Sequence, residues 1–334
     1  MKEPKPYHTI ERTMRAHACV VLFSALAFSG LVHAQAYPSR PIRIIDAYAP
    51  SGSSDIMARI IGQRMTESWG QQVVVDNRPG GNAVIGTDMA AKAPADGYTL
   101  LMFTSTLTVQ PSLYKNLPYN LRTDFASVAL VATTSNVLVV NPATPAATVK
   151  EFIALAKAKP GKLTYGSGGN GTGTHMSMEL LRSMAELQMT HVPYKGSAPA
   201  ITDIMGGHID CGFSTMTSAI QHIKSGRLKA LAVSTSKRSA AMPDIPTIAE
   251  AGVPGYDSTN AVGILAPAKT PQQTVARLNA EIVRILGMRD VRERLSSLGT
   301  DPAAGTPEEF RAFIESEIEK WARVVKSSGM EVQP

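Results

Sequence analysis

"KLTYGSGGNGTGTHMSMELLRSMAEL" (162–187) sets the densest glycine run of the chain between two segments of different periodicity. "KLTYGS" (162–167) reads as a strand, "GGNGTG" (168–173) as a loop and "THMSMELLRSMAEL" (174–187) as a helix. A strand that runs through a glycine loop into a helix is an α/β unit. It leaves the first-turn amides of the helix, backed by the helix dipole, at the carboxyl end of the strand, where an anion can bind. Gly166, Gly168 and Gly171 also spell G-x-G-x-x-G, a dinucleotide fingerprint. That fingerprint needs an acid at the end of the following strand to hold a ribose. Here "MTHVPYKG" (189–196) ends in Tyr194 and Lys195, and Glu186 sits in the helix. No G-x-x-x-x-G-K-[ST] is present either, so the anion is not read as a nucleotide.

The same unit occurs earlier. "IRIIDAYAP" (42–50) is a buried-strand pattern, "SGSSD" (51–55) a turn with capping residues, and "IMARIIGQRMTESWG" (56–70) a helix closed by glycine. Strand and helix patterns continue to alternate, with strands in 72–78, 96–106, 137–142, 209–215, 228–236 and 261–267. Two amphipathic helices, near 271–286 and 307–327, end the chain, and "TPEEF" forms a capping start for the second. Alternation of this kind predicts parallel sheets. Two anion-seeking loops in separate halves suggest a cleft closed from both sides.

The 334 residues are 44% apolar and 18% charged, enough for two domains and a large core without disulfides. Residues 1–36 read as a secretory signal peptide. Lys2, Lys5, Arg12 and Arg15 precede an apolar run, "CVVLFSALAFSGLV" (19–32), and cleavage is expected near Ala34 or Ala36. The protein is therefore expected to be exported and periplasmic. Cys211 is the one cysteine left after cleavage, which excludes an internal disulfide and a cysteine metal site. His191 and His208 lie in no metal-ligand spacing, so neither metal nor cofactor is expected. Removing the leader leaves 29 basic against 25 acidic residues, with no basic run interleaved with aromatics, which argues against nucleic acid.

The chemistry that remains is that of an anion held by neutral donors. Clustered amides and hydroxyls solvate a carboxylate without a competing full charge. The loops at 51–55, 104–106, 167–175 and 214–215 are rich in Ser, Thr and Gly, and each comes after a strand, where α/β ligand sites form. The candidate ligand-binding residues are Ser51, Gly52, Ser53, Ser54, Asp55, Thr104, Ser105, Thr106, Ser167, Gly168, Asn170, Thr172, His175, Ser214 and Thr215. An alternative is an extracytoplasmic serine hydrolase with Ser167 as nucleophile and His175 as base, although no G-x-S-x-G elbow is present.

Several segments resemble the Bug/TctC family, the extracytoplasmic solute-binding receptors of tripartite tricarboxylate transporters. They include "YPSRPIRIID" (37–46), "SGSSDIMAR" (51–59), "VVVDNRPGGNAVIGTDMAAKAPADGYTL" (73–100), "PSLYKNLPYNLRTDF" (111–125), "HVPYKGSAPAITDIMGGHID" (191–210), "LAVSTSKRSAAMPDIPTIAEAGVPGY" (231–256) and "APAKTP" (266–271). The resemblance covers essentially the whole mature chain. It implies a type II periplasmic-binding-protein fold: two α/β lobes with crossing strands near "NVLVVNP" and "STNAVGILAP" and a ligand cleft between them. The expected first lobe is 37–135 plus 259–334, and the second is 136–258. The resemblance implies a monomer without enzymatic activity that closes on a small carboxylate, a di- or tricarboxylate or an aromatic acid. The loaded receptor would meet membrane transporter subunits, and a signalling partner is a further alternative. Three departures stand out. "PSGS" replaces the usual P-x-G-G, Phe213 is followed by Ser214 and Thr215 rather than Asp, and Ala261 stands where a Trp is usual. The missing acid predicts a ligand without an amine, and Ala261 predicts a roomier pocket if it faces the cleft.

Overall fold

A computed structural model describes residues 37–50, 52–330, 332 and 333. The expected signal peptide and its cleavage site lie outside the described residues. Two mixed sheets organise the chain. The first contains β1 (Ile42–Asp46), β2 (Val73–Asn77), β3 (Thr99–Thr104), β4 (Phe125–Thr134), β10 (Asn260–Pro267) and β11 (Thr300–Pro302), in the order β11-β4-β10-β3-β1-β2. The second contains β5 (Asn136–Val140), β6 (Thr164–Ser167), β7 (Thr190–Pro193), β8 (Cys211–Thr215) and β9 (Lys229–Val233), in the order β7-β6-β8-β5-β9. The helices are α1 (Ser53–Trp69), α2 (Val84–Ala91), α3 (Thr106–Leu113), α4 (Val149–Ala158), α5 (Gly173–Ala185), α6 (Ser197–Gly206), α7 (Met216–Lys224), α8 (Gln272–Leu286), α9 (Arg289–Ser297) and α10 (Pro307–Ser328).

The sheets are not purely parallel, which corrects the expectation from alternation. In the first, β10 lies antiparallel between β3 and β4; in the second, β5 lies antiparallel between β8 and β9. Each is the strand by which the chain arrives from the other sheet. It enters from the end where the parallel strands finish, so it must run against them. The two sheets then share one topology: β2-β1-β3-β10-β4 matches β7-β6-β8-β5-β9. The recurring sequence units, which begin at β1 and β6, occupy equivalent places in it. We call the layers around the two sheets the first and second lobes. Both belong to one compact unit, Arg40–Pro334.

Some elements escaped the sequence reading. β4 is the longest strand among the described residues, yet "FASVALVATT" lacks a clean alternation because it is buried on both faces at its centre. α3 carries Thr, Val and an internal Pro111, a weak helical signature that its buried packing overrides. The capping box did form: Glu309 N–H donates to Thr306 Oγ1 at 3.1 Å, and Thr306 N–H to Glu309 Oε2 at 2.8 Å.

α10 enters both cores. Phe310, Ile314 and Ile318 pack with Ile45, Leu101 and Phe103 of the first lobe. Trp321, Val324 and Val325 pack with Leu138, Tyr165 and Phe213 of the second. Phe310 meets Phe103 edge-to-face, with ring centroids 5.2 Å apart. This contact exists because β10 presents a glycine there. A Cβ on Gly263 would lie 2.3 Å from Phe310 Cζ and 2.8 Å from the Ala129 carbonyl oxygen. Gly263→Ala is expected to destabilise the protein by about 1–3 kcal/mol through overpacking, although alanine normally favours a strand over glycine. Urea unfolding checks this, and an unchanged midpoint would contradict the close packing.

Candidate ligand-binding site

A cavity of about 350 Å³ lies where the two sheets face one another. The ends of β3 and β4 supply Thr104 and Thr134, the end of β8 supplies Thr215, and the crossing strands supply Asn136, Asn260, Ala261 and Val262. Five helices begin at its wall. Their N-cap residues, Gly52 of α1, Ser105 of α3, Thr172 of α5, Gly196 of α6 and Thr215 of α7, all line it. Four of these helices, all except α5, have no side-chain cap. First-turn amides without a capping side chain seek an acceptor. Among the described residues, no Asp, Glu, Lys, Arg or His lines the cavity.

The sequence candidates divide by position. Gly52, Ser53, Ser54, Thr104, Ser105, Thr106, Gly168, Thr172 and Thr215 line this cavity. Ser51 lies outside the described residues. Asp55 is buried and turned to Arg59, which contacts both its oxygens at 3.0 and 2.9 Å, and to Asn77 Nδ2 at 3.0 Å. Asn170 and His175 line a separate cavity of about 260 Å³. Ser167 and Ser214 are fully buried and do not line the main cavity. Tyr48, Thr134, Asn136, Gly173, Thr174, Gly196, Ser197 and Asn260 were not among the candidates, and all line it, as does Ala261. Gly196 and Ser197 repeat the loop-to-helix signal, in "YKGSAPAI", and were legible on that ground.

Most hydroxyls here brace the loops. Ser54 Oγ donates to both Asp46 oxygens at 3.0 Å, and Thr215 Oγ1 donates to Ser218 Oγ at 2.8 Å. Ser105 Oγ accepts the Ala261 N–H at 2.7 Å while Ser105 N–H donates to the Ala261 carbonyl at 3.0 Å, locking α3 to β10. Four amides of the glycine loop are likewise bonded within the loop or to the first turn of α5. Gly168 N–H donates to Thr174 Oγ1, Gly169 N–H to Ser167 Oγ, Gly171 N–H to His175 Nδ1 and Thr172 N–H to the Gly169 carbonyl. The expectation that this loop offers its amides to an anion is corrected in detail. The loop is a self-bonded support, and the donors beside the cavity belong to the first turn of α5.

The Ser167–His175 pair is also corrected. Ser167 Oγ lies 2.6 Å from Nε2 of His191, on the neighbouring strand β7, while His175 turns its Nδ1 back to Gly171. Among the described residues no carboxylate hydrogen-bonds to His191, so the group that orients a catalytic base is missing.

Beneath α1, burial pushes the Asp46 carboxyl up from its ordinary 3.8 to about 6, against the hydrogen bonds from Ser54; neighbouring Asp55 adds to the rise. A carboxyl with a raised folded-state pKa costs folding free energy when it ionises. The penalty is absent below about pH 4 and complete above about pH 6. Asp46→Asn should therefore gain stability relative to the native chain as pH rises from 4 to 7, by on the order of 3 kcal/mol. Urea unfolding of both proteins across that range checks it, and a pH-independent difference would refute it.

Residues 57–330 match the family model described as tripartite tricarboxylate transporter family receptor, TctC. Protein BugT of Bordetella pertussis is 37% identical over 322 residues, covering 96% of this chain and 99% of BugT. The solved structure of R. palustris Rpa4515 with adipate superposes with a TM-score of 0.78 at 34% identity, covering 88% of this chain and 99% of that one. MatC from Rhodopseudomonas palustris with bound malate gives 0.75 at 29% identity, covering 86% and 100%. With a family match across most of its length and crossing strands that bind two like sheets around one cavity, this chain belongs to the TctC receptor family of tripartite tricarboxylate transporters.

Proposed function

We propose that this chain is a periplasmic receptor that closes on a small dicarboxylate and delivers it to the membrane subunits of a tripartite tricarboxylate transporter. The moving bodies would be 37–135 plus 259–334 and 136–258. The observation that carries the reading is the meeting of five helix N-termini at a cavity that, among the described residues, no charged side chain lines. Helix N-termini favour anions, and several together hold a carboxylate with no cationic side chain. α1 and α3 approach from the first lobe, and α5, α6 and α7 from the second. That division suits a ligand with a carboxylate at each end, so that each lobe grips one and the ligand draws them together. The volume lies at the small end of ligand sites, which run from roughly 300 to 1,000 Å³. The adipate and malate named for Rpa4515 and MatC are dicarboxylates of this size class. A leader that reads as a signal peptide supports export, and no described helix is long and apolar enough to cross a membrane. The receptor would do no chemistry: Ser167 and His191 are set behind the cavity wall and do not line it.

Calorimetry with C4–C6 dicarboxylates is expected to give binding, and saturation to raise the melting temperature. Aspartate and glutamate should bind far more weakly, because among the described residues no acid lines the cavity to receive an ammonium; tight binding of either would overturn that part. Ser197→Asp separates folding from binding. An acid in the first turn of α6 favours the helix by about 0.3–1 kcal/mol, so thermal stability should hold while dicarboxylate affinity falls at least about tenfold. Retained affinity in Ser197→Asp would count against the anion site.

A further inference from the structure

Behind the second-lobe wall of the cavity, two imidazoles stack face to face. His175 of α5 and His191 of β7 have ring centroids 3.9 Å apart and planes within 9°, and Tyr165 of β6 continues the stack at 4.8 Å from His191. His175 Nδ1 accepts the Gly171 N–H at 3.1 Å, so that nitrogen carries no proton and the imidazole is neutral with its proton on Nε2. His191 Nε2 meets Ser167 Oγ, which in turn accepts the Gly169 N–H at 3.1 Å. Both ends of the 167–171 turn thus rest on the stacked pair.

That turn sets the height of the second-lobe wall against the first lobe. Gly171, at φ 71°, abuts Leu113 of α3 so closely that a Cβ would lie 2.5 Å from Leu113 Cδ1. Gly173, the first residue of α5, is as tightly set against Asn260, where a Cβ would lie 2.0 Å from Oδ1. A shift of the turn therefore moves the first turn of α5 and its contact with the first lobe together.

We propose that the neutral His175–His191 stack is a positioning device for the anion site, and that protonating it releases the 167–171 turn and weakens ligand binding in acid. A proton on His175 Nδ1 would set one N–H against the Gly171 N–H and leave a buried amide without an acceptor. A second charge on His191 would repel the first across the stack. Ser167 tolerates a proton on His191 Nε2 by accepting instead of donating, so His175 is the sensitive member.

The titratable groups facing His175 are Glu179 and Arg182 from its own helix, Tyr165 from β6, His191 from β7 and, across the adjoining cavity, Tyr114 at the end of α3. Glu179 Oε1 lies 3.7 Å from His175 Nε2 and would favour a charged ring. It is already taken by Arg182 Nη1 at 2.6 Å and by the Tyr165 hydroxyl. Burial holds His175 down to about 4, with Arg182 adding to the effect. Burial, then His175, then Arg182 hold His191 to about 4 against the opposing pull of Glu179. Both lie below the ordinary 6.5. The neutral stack and the turn bonded to it are therefore favoured above about pH 6.5 and are lost as pH falls toward 4.

The effect on affinity rests on the carboxylate reading of the cavity, and the effect on the turn does not, so two measurements are made. In the native chain without ligand, NMR follows the Gly171 amide and the imidazole nitrogens of His175 from pH 8 to 4. The Gly171 resonance is expected to shift in step with His175 protonation; an amide indifferent to that titration overturns the proposal. In the second, adipate affinity is measured by calorimetry at pH 7.5 and 4.0. Adipate titrates in this range itself, so the quantity read is the ratio of the two dissociation constants, compared with the same ratio in His175→Asn, whose Oδ1, bonded to Cγ like the His175 Nδ1, offers an acceptor that does not titrate. His175 is half protonated near pH 4, so the native ratio should exceed that of His175→Asn by about twofold; equal ratios overturn the proposal. If adipate does not bind at either pH, the dicarboxylate reading is the one that fails, and the Gly171 titration decides the proposal alone.

Discussion

Ser135 is the one residue between β4 of the first sheet and β5 of the second, and the segment 256–259 leads back into β10. Each sheet receives the other's strand antiparallel between two of its own. This exchange has a geometric consequence for every loop in the site. The crossing strands enter at the carboxyl ends of the parallel strands, so those two ends must face each other. The segments that leave β1, β3, β6, β7 and β8 are thereby aimed into one gap, and each of them opens a helix. The cavity is ringed by helix N-termini because of this topology, before any side chain is considered.

Side chains then decide which polar groups remain for a ligand. Ser54, Ser105, Thr172 and Thr215 turn their hydroxyls to Asp46, Ala261, Gly169 and Ser218 respectively. Each bond fixes a loop, and together they hold the helix starts in place. A carboxylate in such a site meets donors already oriented, so little order has to be imposed when it binds. Asp55, the acid nearest the first-lobe helix start, is neutralised by Arg59 and faces away from the gap. The same economy applies to the glycine loop, whose amides brace it internally and rest on His175 and His191.

Much of this was legible in the chain. The strand–loop–helix units at 42–70 and 162–187, the crossing segments and the terminal helices follow from hydrophobic period and turn residues, which are local properties. β4, α3 and α9 were not legible, because burial on both faces, an internal proline and short length each blur the period. Within the site, the helix-start residues were legible wherever a Ser/Gly/Thr loop precedes a helix. Tyr48, Thr134, Asn136 and Asn260 were not, since they reach the cavity through strand ends and crossings that carry no turn signal.

The sequence by itself determined that "YGSGGNGTGTH" opens a helix at the end of a strand, because capping depends only on neighbouring residues. It also determined, through the length and specificity of the matching segments, the family. Only the tertiary structure decided that the loop's own amides are spent, that Ser167 meets His191 rather than His175, and that Asn170 and His175 face a different cavity. Those outcomes depend on which strand lies beside β6 and on where the first lobe presses Leu113 and Asn260 against the turn. Such contacts join residues far apart along the chain, and a local pattern carries no record of them.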